Sequence, residues 1–191
     1  MCDELKTMMY VYMDPAAKLQ QVTDACSKAA AAKCEAVCVP QWFVSTAAGA
    51  LAGSGVKTAT ILGLPGGTTS SAAKYAEAKQ AIANGASVII VPVNMQLCAS
   101  GSILAAKNDL VSSMAPAKKG AEAIALIDAE NLSADKLEEV ASMCIGAGVK
   151  SVLVANATAD IMKKLAAGNI PCGSFGTKVY EGNAVSATPL V

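Results

Sequence analysis

Histidine is absent from this chain of 191 residues. Its absence excludes imidazole general bases, Ser-His-Asp and Cys-His nucleophile systems, and every zinc site with a histidine ligand. Charge is scarce as well: 16% of residues are charged, and 15 basic side chains balance 15 acidic ones. Zero net charge leaves no electrostatic footprint for nucleic acid or for an anionic membrane, and it removes the long-range repulsion that opposes self-association. Aromatics make up only 4% while alanine is abundant, a composition suited to closely packed helices. No apolar run reaches the roughly 18–20 residues needed to span a bilayer. The N-terminus MCDELKTMMYVYM is acidic before it is apolar, the reverse of a signal peptide. No Cys-x-x-Cys occurs among the seven cysteines. An odd, unpaired set of this kind reads as reduced and buried thiols in the cytoplasm rather than as a disulfide framework. Cys34 and Cys38, the closest pair, are read as core. No metal site and no cofactor is expected.

What the chain does have is six short apolar runs: MMYVYM (8–13), AVCVP (36–40), TATILGLP (58–65), SVIIVPVN (87–94), EAIALIDA (122–129) and SVLVAN (151–156). They are continuous rather than alternating, as in parallel strands covered on both faces. Helical patterns separate them. Leu19, Val22, Cys26 and Ala29 make one stripe, and Ala72, Tyr75, Ala76, Lys79, Ile82 and Ala83 a second. Leu137, Val140, Ala141, Cys144 and Ile145 make a third, with Ser133 as its cap and Asp135 opposing the dipole in its first turn. Gly85, Gly120 and Gly148 mark helix ends just ahead of strands. Alternation of this kind predicts repeated βα units around a parallel sheet, a (β/α) TIM-type barrel in one domain spanning 1–191. Six units run to about 156. A helix over 158–169 and a strand over 170–176 follow, and 157–191 reads as a degenerate end. A closed eight-unit barrel takes about 200 residues or more, so this one is short or incomplete at its C-terminal end.

Catalytic side chains in such barrels project from the strand C-terminal ends. Here those ends carry Met, Val, Leu, Ile, Pro and Asn, with Asp128 the one acid. Gly66-Gly67-Thr68-Thr69 offers a phosphate cradle at a helix start or a plain turn with an N-cap, and the second reading is preferred. Met8, Met9 and Met13 are read as strand packing. Trp42 and Phe43 open the second helix side by side, so one of them faces a neighbouring loop or subunit.

Four segments, EAVCVPQWFVSTA (35–47), ILGLPGGTTSSAAKYAEAKQAIANGA (61–86), VNMQLCASGSILAAKNDLVSSM (93–114) and LSADKLEEVASMCIGAGVKSV (132–152), together resemble deoxyribose-phosphate aldolase. The similarity runs in order over roughly residues 14–156. It implies class I aldol chemistry through a lysine Schiff base, which needs an amine kept free near neutral pH. The family's nucleophile, in a Lys-Thr-Ser-Thr-Gly phrase, falls at Leu153. Lys150, three residues earlier, is expected at the opposite end of the barrel. The proton-relay aspartate falls at Ile90, with Asn94 retained. The fifth-strand lysine falls at Ile124, with its acid conservatively replaced by Asp128, and the first-strand Asp-His-Thr phrase becomes Met9-Tyr10-Val11. IPCGSFG (170–176) fits two registers. As the seventh strand it places Cys172 or Gly173 where the family has a second lysine; as the eighth, Gly173, Ser174 and Gly176 form a candidate phosphate loop.

Aliphatic groups at converging charged positions turn a polar barrel mouth into core. An unpaired buried charge costs several kcal/mol, whereas burying an aliphatic side chain gains about 1.5–3 kcal/mol. Stability is expected to rise as activity is lost. The resemblance therefore leads to a catalytically inactive aldolase-like protein with a structural or assembly role, either a homo-oligomer or a subunit of a larger assembly. The alternative is a divergent aldolase or lyase acting on a small phosphorylated aldehyde or sugar through a relocated lysine such as Lys178.

Overall fold

The computed structural model describes residues 9–64, 66–130, 132–168, 170–175 and 184–185. Seven strands lie parallel in chain order: β1 (Met9–Val11), β2 (Ala36–Cys38), β3 (Lys57–Ile61), β4 (Val88–Pro92), β5 (Glu122–Asp128), β6 (Val152–Ala155) and β7 (Cys172–Phe175). The six apolar runs of the sequence are the first six of these, trimmed at their ends. An eighth strand, β8 (Ala184–Val185), adds antiparallel to the free side of β1, with Met9 opposite Val185. It falls in the tail read as a degenerate end, where two residues carry no periodicity to detect. IPCGSFG takes the seventh position, parallel to β6, with Leu153 opposite Gly173. Among the described residues the sheet is an incomplete TIM-type barrel whose two edges are β7 and β8.

Seven helices cover the outside: α1 (Leu19–Ala31), α2 (Val44–Ala50), α3 (Ser71–Ala83), α4 (Met95–Ala99), α5 (Ile103–Met114), α6 (Ala134–Gly146) and α7 (Ala159–Ala167). Side chains alternate between the two faces of each strand. Ile89, Val91, Ala125, Ile127, Val152 and Val154 point outward to the helices. Met9, Val11, Ala36, Cys38, Val88, Ile90 and Leu153 fill the interior, with Ile124 and Leu126 packed beside them. Met13 belongs to the same inner cluster, so the described methionines of the first run are core; Met8 lies outside the described residues.

Local rules hold where a single side chain decides. Ser133 caps α6 by accepting from the Lys136 N–H at 3.3 Å, and Leu137, Val140, Ala141 and Cys144 are buried beneath that helix. Gly85, Gly120 and Gly148 all adopt positive φ where their helices stop. They fail where the stripe is ambiguous. Leu19 is 60% exposed, because the first turn of α1 overhangs the sheet edge rather than packing on it, and Val22, Ala25, Cys26 and Ala29 form the buried face. In α3 the buried residues are Lys74, Ala78 and Ala81, while Ala72, Tyr75, Ala76, Lys79 and Ala83 face out. Alanine on both sides leaves the face to be chosen by tertiary partners. The cap of α3 is Ser70, accepting from Ala73 N–H at 3.3 Å, rather than either threonine of the Gly66–Thr69 turn. Trp42, in a 3-10 turn ahead of α2, is 87% exposed, and Phe43 packs on the cluster under α1 and α2.

Candidate functional site

Two levels of inward-facing side chains cross the barrel. Ile90 on β4 is in register with Ile124 on β5, and Leu126 on β5 with Leu153 on β6, which in turn faces Gly173 on β7. Ile90 is fully buried and Leu153 is 4% exposed. The three positions singled out in the sequence thus meet in one apolar band, and no polar side chain of that band stands between them.

Above the band, at the strand C-terminal ends, lie Asp128 and Asn94. Asp128 is exposed and continues the inward face of Ile124 and Leu126. Its Oδ1 accepts from the Asn156 amide at 2.7 Å and from the Glu130 N–H at 3.1 Å. Asn156 itself sits at positive φ, a conformation asparagine tolerates better than most residues. The pair pins the β5 and β6 loops together. Asn94 accepts from the Leu97 N–H at 3.3 Å as the cap of α4. Of the candidate phosphate loop, Gly173 is buried and Ser174 exposed within β7, while Gly176 lies outside the described residues, as does Lys178.

The β3–α3 loop is held from below by a feature that sequence reasoning missed. Lys74 has no exposed side-chain surface; its Nζ donates to the Asp109 carboxylate on α5 at 2.5 Å and to the Gly67 carbonyl at 3.0 Å. Glu77 accepts from the Gly63 N–H at 2.6 Å. Two glycines permit the close approach. A Cβ on Gly63 would meet the Lys74 stem at 2.9 Å, and one on Gly67 the Pro92 carbonyl at 2.6 Å. The signal available in the sequence was spacing: Lys74, Ala78 and Ala81 recur at helical intervals, a stripe discounted because it begins with lysine.

At the other end of the barrel a cavity of about 250 Å³ opens among the strand starts. Ile124, Leu153 and Gly173 contribute to its wall, so three candidate positions face this end as well as the band above. Charged residues from four βα junctions surround it. Glu122 accepts from Lys57 and from Lys150, each at 3.0 Å, and Lys57 also pairs with Glu35 at 3.4 Å. Lys150 stands just before β6, at the N-terminal end of the barrel. Partial burial opposes the charge of Glu122, but the two lysine hydrogen bonds outweigh it and hold the carboxyl below its usual range.

That shift gives stability a pH dependence. Because the folded-state pKa is depressed, the unfolded chain takes up the proton first as pH falls. The stabilisation is complete above the unfolded value of 4.5 and is lost as pH drops through the folded one. Glu122→Gln should flatten this part of a pH–stability profile measured by urea unfolding. Pairs this exposed are worth about 1 kcal/mol or less, and the effect should shrink in high salt.

The described cysteines Cys26, Cys34, Cys38, Cys98, Cys144 and Cys172 are buried free thiols. Burial pushes Cys144 up to about 12, and Cys38 is raised further, so neither is an available thiolate. Among the described residues no group of three His, Cys, Asp or Glu side chains is placed to hold a metal ion, and no helix is long and apolar enough to cross a membrane.

Comparison with known proteins bears on the whole barrel. The family model "DeoC/LacD family aldolase" matches residues 4–163. Deoxyribose-phosphate aldolase of Thermosynechococcus vestitus is 29% identical over 140 residues, 73% of this chain and 64% of that one. The enzyme of Streptococcus equi subsp. zooepidemicus is 35% identical over 116 residues, 61% of this chain and 52% of that one. The matched segments thus cover from about half to just under two-thirds of these relatives. A putative deoxyribose-phosphate aldolase from Coccidioides immitis superposes with a TM-score of 0.85 at 22% identity, covering 91% of this chain and 73% of its own. The tetrameric deoxyribose phosphate aldolase from Aeropyrum pernix gives 0.79 at 17% identity, with 91% and 77% covered. At these identities the superpositions establish the fold, and the family match establishes descent: this chain belongs to the DeoC/LacD family of aldolases.

Proposed function

We propose that this chain is a member of its family without Schiff-base catalysis, acting in the cytoplasm as a structural or assembly subunit. The observation that carries the reading is the band of Leu153, Ile90 and Ile124. Under the family's phrases these are the positions of the nucleophilic lysine, the proton-relay acid and the fifth-strand lysine. Aliphatic groups there leave no amine to form a carbinolamine and no acid to move its proton. The lysines described nearby are committed elsewhere: Lys57 and Lys150 to Glu122 at the opposite end, and Lys74 to Asp109 under a loop. The remaining candidate positions take structural roles in this reading: Asp128 as a loop clamp, Asn94 as a helix cap, and Gly173 and Ser174 as strand residues. An assembly role fits the zero net charge and the freely exposed Trp42, and the Aeropyrum pernix relative is tetrameric.

Family membership itself favours a second reading, a divergent aldolase or lyase for a small phosphorylated aldehyde or sugar that uses a relocated lysine. Lys178 is its candidate. Borohydride reduction in the presence of acetaldehyde or deoxyribose 5-phosphate separates the two. The first reading expects no mass increment on any lysine and no retroaldol turnover. A stable adduct mapped to one lysine, lost with turnover when that lysine becomes methionine, would establish the second.

A further inference from the structure

We propose that the cavity at the N-terminal end of the barrel is a binding site for a small uncharged apolar molecule, an aromatic or branched aliphatic between benzene and indole in size. Its walls come from Met9, Val88, Ile124, Leu153 and Cys172, with no side chain that offers a free hydrogen bond. Native interiors keep few voids larger than a water molecule. At about 250 Å³ this space exceeds the roughly 150 Å³ that suffices for an apolar cavity to take up benzene. Water entering such walls finds too few partners, so an apolar ligand displaces poorly held solvent and gains contact with every wall.

The rim decides what the ligand is not. Its charges are satisfied internally: Glu122 accepts from Lys57 and Lys150, and Lys57 is shared with Glu35. The four groups sum to zero. A carboxylate or phosphate entering here would have to draw Lys150 away from Glu122, leaving that acid half-compensated beside an apolar wall. A cationic ligand would meet the same obstacle at Glu35. Neutral ligands leave the ring of ion pairs intact. This site lies at the end of the strands away from Asp128 and Asn94, and it does not depend on whether Schiff-base chemistry is lost.

The test uses the full chain labelled at its methionine methyl groups, with indole as the probe and benzoate as a charged counterpart of similar size. Titration with indole should move the Met9 methyl resonance saturably and raise the melting temperature, and benzoate should do neither. Leu153→Phe, which fills the cavity, should weaken indole binding at least about tenfold. Should that variant fail to fold, the Met9 resonance in the unaltered protein still decides. No saturable shift up to the solubility of indole, an equal shift with benzoate, or unchanged affinity in a folded Leu153→Phe would each overturn the proposal.

Discussion

Asp109→Ala is expected to destabilise this protein by about 3–5 kcal/mol, the largest loss from any single surface-proximal substitution in the fold. The reason is the state of Lys74 once its partner is gone. Its side chain has no solvent-exposed surface, whereas Asp109 is 11% exposed. Removing the carboxylate leaves an ammonium held only by the Gly67 carbonyl, without water to replace the lost charge. Lys74→Met should cost less, because methionine keeps most of the stem that packs on Gly63 and the orphaned Asp109 can reach solvent. The pair Lys74→Met with Asp109→Leu should recover much of the loss, since a buried ion pair gives little net stability over well-packed apolar groups. Urea unfolding of the four proteins measures this directly. In a chain of this size Asp109→Ala should lower the melting temperature by about 10 °C. Equal, small losses in both single variants would mean that water already reaches Lys74.

Leu153→Lys comes second, with an expected cost of about 3 kcal/mol at neutral pH. The new ammonium would stand between Leu126 and Gly173, over Ile90 and Ile124, with no acid in that layer. The adjoining cavity gives it some water, which keeps the cost below that of a sealed core. Its pKa in the folded state would be depressed, so the unfolded chain binds more protons between that value and about 10.4. The sign follows: the penalty is full at low pH and diminishes as pH rises through that window. Leu153→Met, close in volume, should cost less than about 1.5 kcal/mol and show no such slope. Under the proposed function the lysine variant gives a borohydride-trappable amine without retroaldol turnover, because Ile90 and Ile124 still supply no proton relay. Turnover restored by Leu153→Lys alone would mean that the rest of the site is intact.

The elements that were legible in the sequence share one property: a signal contained within a dozen residues. VIIVP and EAIALID are strands because continuous β-branched and aliphatic runs suit a sheet covered on both faces. Ser133 reads as a cap because one hydroxyl satisfies one orphan N–H. The candidate positions Leu153, Ile90 and Ile124 were readable only through the family's phrases, since an isoleucine in a strand is otherwise unremarkable. The misread face of α3 shows the limit. Its residues are so nearly uniform in size and polarity that the helix has no preferred side until Asp109, 35 residues away, takes Lys74 inside.

Composition and local pattern therefore determined the absence of imidazole chemistry, the six βα units, their caps and the kinship with aldolases. Each follows from propensities and spacings that do not depend on what lies across the barrel. Tertiary structure alone decided the buried Lys74–Asp109 strut, the pairing of β8 with β1, the clamp of Asp128 by Asn156, and the ion-ringed cavity. Glu122 and Lys57 are 65 residues apart in the chain and 3.0 Å apart in space. Curling a parallel sheet brings all its strand starts to one end, and contacts made by that closure leave no periodic trace in the residues that form them.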